Sequence, residues 1–199
     1  MMEHLNYTLF MLLNAAPGAP AAAVGIARFL AEGVIWLVPA GLVIGWLRGS
    51  SAVRQILVAA TVSGLAGLFI NQLIGLAWYH PRPFEAGIGQ TLIPHARDSS
   101  FPSDHLTLIW AVAFCLLMHA QTRFAGWVLA LLGIPVAWAR IYLGVHFPLD
   151  FLGAALVALG SVWLISRVER RLVAVLMDLL LPAYLAIFSG LIRKGWVKK

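Results

Sequence analysis

The feature that most constrains this chain is a series of long apolar stretches separated by short clusters of charged residues. Apolar residues make up 61% of the 199 positions and charged residues only 11%, against roughly 25% charged residues in soluble domains. So few charged side chains could not cover the surface of a soluble core of this size. The pattern therefore predicts an all-α fold, a polytopic bundle of transmembrane helices.

We expect about five to six spans within a single membrane-embedded domain that covers residues 1–199. Five apolar runs follow an interrupted N-terminal segment, at residues 56–79, 106–120, 124–139, 151–165 and 172–192. A run of about 15 residues gives only about 22 Å of helix, less than the ~30 Å thickness of the hydrocarbon layer. The shorter runs must therefore extend into their polar flanks, which places those flanks at the membrane surface.

The N-terminal segment is harder to divide. It lacks the basic start of a signal peptide, so we expect it to stay in the mature protein. The Pro- and Gly-rich stretch 17–20 ends a short leading helix, and Arg28 and Glu32 are spaced to form an ion pair on one helical face. We predict an interfacial helix to about Glu32 and a span over residues 33–47. The alternative is that Glu32 is a functional carboxylate within the membrane.

Clusters of arginine indicate the orientation of the bundle. The positive-inside rule places three connections on the cytoplasmic side. The first contains Arg48 and Arg54, the second contains Arg123, and the third contains Arg167, Arg170 and Arg171. The polar segments 80–104 and 139–150 then share the opposite side. A sixth span would leave the basic tail RKGWVKK on the wrong side, a conflict that the sequence does not resolve.

The net charge of +6 does not indicate a nucleic-acid partner, because the basic residues form no continuous face. Anionic membrane lipids are the expected partners of the loops and the tail. The single cysteine, Cys115, cannot form a disulfide within the chain.

Three polar segments on the shared face carry the residues suited to chemistry: HPRPF at 80–84, FPSDH at 101–105 and ARIYLGVHFPLD at 139–150. Arg82 and Arg140 offer planar guanidinium groups that match the oxygens of a phosphoryl group. Ser103 precedes an apolar helix at the usual N-cap position, so the following backbone N–H groups would point at an anion. These features predict a phosphate-binding site.

Two histidines can divide the work of phosphoryl transfer. His146 and Asp150 are four residues apart, so the carboxylate can hold one ring nitrogen and leave the other free to attack phosphorus. His105, at the start of a helix, is then the acid for the leaving group. A single interfacial histidine is more often structural, and only the combination of three segments on one face favours catalysis. His95 and Arg97 either bind a second phosphate or structure the loop.

The same three segments resemble the signature of the type-2 phosphatidic acid phosphatase superfamily, K-x6-R-P, P-S-G-H and S-R-x5-H-x3-D. The matching residues are Arg82, Pro83, Pro102, Ser103, His105, Arg140, His146 and Asp150. The resemblance implies a phosphatidic acid phosphatase/haloperoxidase-like core and a metal-free mechanism without a cofactor. It also implies that His146 is the nucleophile, Asp150 its orienting partner and His105 the general acid.

The sequence departs from this signature at three positions. Gly75 stands where the family has lysine, so another group, such as His80, would have to replace that phosphate ligand. Asp104 stands where the family has glycine, next to the expected phosphate. Its charge repels the substrate unless it points away or Arg97 offsets it. Ala139 replaces the family serine.

HPRPF together with FPSDH resembles the bacitracin-resistance-type undecaprenyl-diphosphate phosphatases within this superfamily. The resemblance implies a polyprenyl diphosphate substrate and an active site on the periplasmic or outer side of the bacterial plasma (inner) membrane. Other lipid phosphates remain open as substrates: phosphatidylglycerophosphate, phosphatidic acid and lipid A. Three alternatives belong to other classes of protein. They are a lipid phosphotransferase, a non-catalytic channel or flippase, and a metal hydrolase built from His95, Asp98, Asp104 and His105. The sequence does not indicate an oligomeric state.

Overall fold

A computed structural model describes residues 2–198, and these residues form helices and loops without a β-strand. Eight α-helices follow one another along the chain: α1 (Met2–Leu13), α2 (Ala21–Arg28), α3 (Leu37–Arg48), α4 (Ser51–Ala77), α5 (Asp104–Leu117), α6 (Arg123–Tyr142), α7 (Pro148–Ile187) and α8 (Ser189–Arg193). A π-helical turn, Phe29–Gly33, and a 3-10 turn, Val34–Trp36, join α2 to α3. Residues 21–48 thus form one interrupted helix.

Four helical segments are long and apolar enough to cross a membrane: Ala21–Arg48, Ser51–Ala77, Arg123–Tyr142 and Pro148–Ile187. Helix α5 has only 14 residues. It begins beside the end of α4, where Asn71 contacts Asp104, and leads back to the start of α6. Five segments therefore run between the two ends of the bundle, and the prediction of an all-α polytopic membrane protein is confirmed.

The predicted turn at Arg167–Arg171 is wrong, because α7 is one continuous helix of 40 residues, whereas the five segments agree with the five to six spans expected. No glycine or proline lies between residues 161 and 181, and residues of good helix propensity fill that stretch. The chain beyond α7 ends beside the turn that joins α3 to α4, where the Lys198 N–H donates to the Leu47 carbonyl at 2.9 Å. The basic tail thus lies at the same end as Arg48, which resolves the conflict in the sequence.

The N-terminal prediction also needs correction. The first spanning segment begins at Ala21 rather than at residue 33, and α1 alone lies across the end of the bundle that holds the three polar segments. Arg28 forms no ion pair with Glu32. Its guanidinium instead donates to the Leu92 carbonyl at 3.1 Å, because the loop 80–104 packs over the start of this helix.

The centre of the bundle is the contact among α4, α5 and α7. Gly67 lies so close to its neighbours that a Cβ atom there would approach Thr107 on α5 to 2.8 Å and Ser161 on α7 to 3.4 Å. Small residues let helices in membranes approach each other closely. This close packing fixes the ends of α4, α5 and α7, from which the polar segments extend.

Candidate active site

The three polar segments meet at one end of the bundle. Arg82 lies in the loop after α4, and Arg140 lies in the last turn of α6. His146 lies in the connection between α6 and α7, and Asp150 in the first turn of α7. All four side chains are buried. The fold thus brings together residues that are up to 68 positions apart (82 to 150).

His146 and Asp150 form the centre of this group. The Nδ1 atom of His146 lies 2.9 Å from Oδ2 of Asp150. The same oxygen accepts from the Phe147 N–H at 2.8 Å and from the Ser100 hydroxyl. Three donors therefore hold this carboxylate in place. With the ring proton on Nδ1, Nε2 is unprotonated and carries a lone pair.

The free nitrogen of His146 faces two arginines. Its Nε2 lies 3.2 Å from Nη1 of Arg82 and 3.3 Å from Nη2 of Arg140. A guanidinium group can only donate, so Nε2 must be an acceptor. Burial, and then the charges of Arg140 and Arg82, hold the pKa of His146 well below its ordinary value. The imidazole is therefore neutral, as a nucleophile must be.

Hydrogen bonds to the loops hold Arg82 in position. Its Nε donates to Asp98 at 2.8 Å, its Nη1 to the Val145 carbonyl at 2.7 Å and its Nη2 to the Ser99 carbonyl at 3.3 Å. The Asp98 carboxylate is half-exposed, whereas the Arg82 side chain is buried. The guanidinium is thus fixed on three sides.

Arg140 is held from the other side of the site. Its Nη1 donates to the Ala31 carbonyl at 3.3 Å, and Ala31 belongs to the π-helical turn. Its Nη2 lies 3.1 Å from Nε2 of His95. Because Nδ1 of His95 lies 3.1 Å from the Ala96 carbonyl, His95 donates there and accepts from Arg140. Burial and the nearby Arg82 lower the pKa of His95.

His105 and Ser103 lie at the start of α5. The His105 ring makes no hydrogen bond with another residue in the range 2–198, but it is close enough to Arg140, His95 and Arg82 to interact with their charges. Ser103 occupies the predicted N-cap position, yet its buried hydroxyl bonds no N–H of the helix. The predicted N-cap position is therefore confirmed, without a capping hydrogen bond from the side chain. The Ser103 backbone N–H donates to the Asp150 carbonyl at 3.3 Å.

Asp104 faces α4. It accepts hydrogen bonds from the amides of Asn71 at 2.8 Å and Gln72 at 3.3 Å. Two arrangements are expected to prevent Asp104 from repelling the phosphate: a carboxylate that points away, or an ion pair with Arg97. In the structure the carboxylate is bonded by these amides and forms no ion pair with Arg97. At the position of the family lysine, a Cβ on Gly75 would lie 3.2 Å from Ser99. A side chain at this position would require Ser99 to move by a few tenths of an ångström.

Two predicted ligands stand apart from the group. The His80 ring packs against Trp78 and Phe147, with centroids 5.9 and 6.0 Å away, and bonds none of Arg82, Arg140 and His146. Arg97 is exposed and, within the described part of the chain, forms no ion pair. His95, unlike His80, contacts Arg140 in this group.

The metal-hydrolase alternative needs His95, Asp98, Asp104 and His105 around one point. The structure separates their carboxylates, since Asp98 pairs with Arg82 while Asp104 bonds to Asn71 and Gln72. Across residues 2–198, no group of three or more His, Cys, Asp or Glu side chains is placed to hold a metal ion.

Sequence reasoning missed Ser100, Ala31 and Asn71. Ser100 is fully buried against Asp150, and its only signal was its position directly before FPSDH. Ala31 contributes a carbonyl oxygen, which no residue type reveals. Asn71 lies within an apolar helix, where a polar residue is a signal of function or of a polar contact.

Comparisons with known proteins show which family and which solved structures the chain resembles. Residues 52–174 match the sequence profile of the PAP2 superfamily. The chain is 36% identical over 198 residues to the candidate undecaprenyl-diphosphatase YbjG of Escherichia coli (strain K12), with all of both chains covered. It is 36% identical over 190 residues to undecaprenyl-diphosphatase BcrC of Bacillus subtilis (strain 168), which covers 96% of this chain and 97% of the relative.

Two solved structures share the fold. LpxE of Aquifex aeolicus superposes with a TM-score of 0.67 at 20% identity, over 82% of this chain and 95% of the other. The PAP2-type phosphatidylglycerolphosphate phosphatase of Bacillus subtilis gives a TM-score of 0.56 at 19% identity, over 85% and 87%. At this identity the likeness shows the arrangement of helices alone.

Proposed function

The chain belongs to the PAP2 superfamily, and on that premise we propose that it hydrolyses undecaprenyl diphosphate to undecaprenyl phosphate and inorganic phosphate. The observation that carries the proposal is the convergence of Arg82 and Arg140 on Nε2 of His146. A phosphoryl group held between the two guanidinium groups has its phosphorus next to a neutral, oriented nitrogen. The names of the two full-length relatives support undecaprenyl diphosphate as the substrate.

The reaction proceeds in two steps. The lone pair of His146 Nε2 attacks the terminal phosphorus, an N–P bond forms, and the bond from phosphorus to the bridging oxygen breaks. His105 gives a proton to the departing oxygen. Water then attacks the phosphohistidine, His105 takes up a proton from that water, and the N–P bond breaks. Asp150 keeps the proton on Nδ1 and stabilises the positive charge that develops on the ring.

The arginines supply the charge stabilisation in both steps. Each is buried, so its interaction with phosphate oxygens is stronger than it would be in water. Ser103 has a buried hydroxyl without a partner among the described residues, close to Asp150. We assign it to a phosphate oxygen, because an unsatisfied buried hydroxyl is costly unless a ligand completes it.

The test is phosphate release by the purified protein in detergent with EDTA. Undecaprenyl diphosphate, phosphatidylglycerophosphate and phosphatidic acid are compared for the wild type, His146→Ala and His119→Ala. His119 lies near Glu169 at the opposite end and serves as the matched control. We expect release with EDTA, preference for the diphosphate, loss in His146→Ala and retention in His119→Ala. Release from His146→Ala, or release that needs an added acceptor lipid, would contradict the proposal.

We also place the active site on the periplasmic or outer side of the plasma membrane. Supporting this, the opposite end carries Arg48, Arg123, Arg167 and the tail lysines, in line with the positive-inside rule. The sole native cysteine, Cys115, is buried, so an added cysteine gives a clean label. A membrane-impermeant maleimide should label Arg97→Cys in intact cells and Arg193→Cys only after lysis. The reverse pattern would contradict the orientation.

A further inference from the structure

The end of the bundle opposite His146 has a large apolar groove. Its volume is about 740 Å³, and it lies among α3, α4 and the last part of α7. The lining residues include Leu42, Trp46, Val58, Val62, Leu180 and Ala183. Thr61 and Tyr184 are its only residues with a side-chain hydroxyl. The groove is therefore suited to hydrocarbon chains.

A second cavity adjoins this groove and has a basic rim. It measures about 730 Å³ and shares Leu47 with the groove, and its other lining residues include Arg48 and Trp196. The Lys194 ammonium lies 5.4 Å from the centre of the Trp196 ring. The Lys198 backbone is bonded to the Leu47 carbonyl at 2.9 Å. Arg48 and Lys194 thus lie at the mouth of an apolar groove, and the backbone of Lys198 lies beside them.

Among residues 2–198, no Asp or Glu side chain forms an ion pair with Arg48, Lys194 or Lys198. The sequence has no Asp or Glu from residue 33 to 84 or from 179 to 198, the stretches that hold the three cations. Asp178 is exposed, and helical geometry places it on the opposite side of α7 from Leu180 and Ala183. The positive potential at the rim is therefore left for an external anion.

The basic tail is fixed to the bundle through Arg54. This arginine is buried, and its Nη2 donates to the Lys198 carbonyl at 2.7 Å and to the Tyr184 hydroxyl at 3.1 Å. Its Nε donates to the Trp46 carbonyl at 2.9 Å. The backbone of the basic tail is thus held beside the groove before any ligand binds, which lowers the entropy lost on binding.

We propose that this groove binds one anionic phospholipid from the surrounding bilayer. Its acyl chains lie in the apolar groove, and its phosphate and headgroup lie against Arg48, Lys194 and Lys198. Charge complementarity selects a lipid with net negative charge over a zwitterionic one. The hydrocarbon lining selects a lipid over free phosphate. This site is separate from the catalytic group and does not depend on the reaction proposed above.

Binding can be measured by native mass spectrometry of the detergent-purified protein with phosphatidylglycerol, phosphatidylcholine or soluble glycerophosphoglycerol added. We compare the wild type with the triple variant Arg48→Gln, Lys194→Gln, Lys198→Gln. The matched control is Arg167→Gln, Arg170→Gln, Arg171→Gln, which removes the same charge from α7. We expect one phosphatidylglycerol per chain, weakened about tenfold or more by the rim variant alone.

Three outcomes would overturn the proposal: the protein retains phosphatidylglycerol and phosphatidylcholine equally, it binds only the soluble glycerophosphoglycerol, or both triple variants lose phosphatidylglycerol to the same extent. A dimer that disappears when Ala183→Trp fills the groove would show that a second copy of the chain occupies it. Without lipid, the midpoints of thermal unfolding must be similar for the wild type and all variants. Added phosphatidylglycerol should raise the midpoint of the wild type and of the α7 control only. A rim variant that is folded and still stabilised by phosphatidylglycerol contradicts the proposal.

Discussion

The Nδ1 atom of His146 lies 2.9 Å from Oδ2 of Asp150, and both side chains are buried at the junction of α6 and α7. This contact determines which ring nitrogen carries the proton. It leaves Nε2 as an acceptor for Arg82 and Arg140, at the place where a phosphoryl group would lie. The reactivity of the site therefore depends on this contact and on the groups that support it.

Asp150→Asn should leave the fold intact and lower kcat by about 10⁴-fold, the loss seen when the carboxylate partner of a catalytic histidine is removed. The amide no longer stabilises the charge that develops on the ring, and it does not fix the tautomer. KM should change much less, because Asp150 does not face the phosphate. Steady-state kinetics on undecaprenyl diphosphate checks this. A change in KM with unchanged kcat would contradict the role of Asp150.

Ser100→Ala removes a buried hydroxyl that donates to the same carboxylate oxygen. We expect kcat to fall by about 10-fold to 100-fold, the range for a lost hydrogen bond to a charged group. Ser100→Thr, which keeps a donor, should recover part of the rate. Ser99→Ala is the control, because that side chain bonds the Phe101 carbonyl and the His80 N–H rather than Asp150. Equal effects of Ser99→Ala and Ser100→Ala would show that Ser100 only supports the loop.

The role of His105 can be tested by changing the leaving group. With undecaprenyl diphosphate the departing group is a phosphate monoester, whose pKa is near 6, so it leaves without much help from an acid. With phosphatidic acid the departing group is an alcohol, which needs a proton. His105→Asn should therefore cost more with phosphatidic acid than with the diphosphate, by about tenfold or more. An equal loss on both substrates would exclude His105 as the acid.

The lowered pKa values of His146 and His95 predict how stability depends on pH. In the unfolded chain each histidine binds a proton near pH 6.5, whereas in the folded protein each stays neutral to lower pH. The unfolded state then binds more protons, so the free energy of unfolding should fall as pH falls below about 6.5. Above about pH 7.5 these two groups contribute no pH dependence.

Urea unfolding in detergent between about pH 5 and 8 measures this dependence. In His146→Gln the free energy of unfolding should depend less steeply on pH below 6.5, by the equivalent of about one proton taken up on unfolding. His4→Gln is the control, since His4 lies exposed on α1, away from the site. An unchanged slope in His146→Gln would show that His146 is protonated in the folded protein.

Sequence reasoning succeeded where the determinant was local or compositional. The spacing of His146 and Asp150 spans one helix turn, so their contact follows from the start of α7 alone. It failed where a contact depends on tertiary packing. The Ser100 hydroxyl and the Ala31 carbonyl reach the site only because the loop 80–104 and the π-helical turn pack against the ends of α6 and α7. The predicted turn at Arg167 failed because a charge cluster indicated a loop, while the helix propensity of the stretch favoured continuation.

The turn that carries His146 depends on a glycine. Gly144 has a φ of +79°, and a Cβ there would collide with the Gln90 backbone. Gly87 has a similar φ of +67°, but a Cβ on that residue would have no neighbouring atom within 4 Å. Alanine at either residue adds backbone strain of about 1 kcal/mol, whereas only Gly144→Ala must also displace the turn.

Gly87→Ala should therefore lower the unfolding midpoint slightly and keep its activity. Gly144→Ala should shift the Val145 carbonyl, which accepts from Arg82, and with it the His146 ring. We expect kcat to fall about 100-fold or more, because a displacement near 1 Å at a catalytic group has that effect. Kinetics and thermal unfolding on both variants separate strain from displacement. If the two variants lose stability and activity equally, the turn at Gly144 does not position His146.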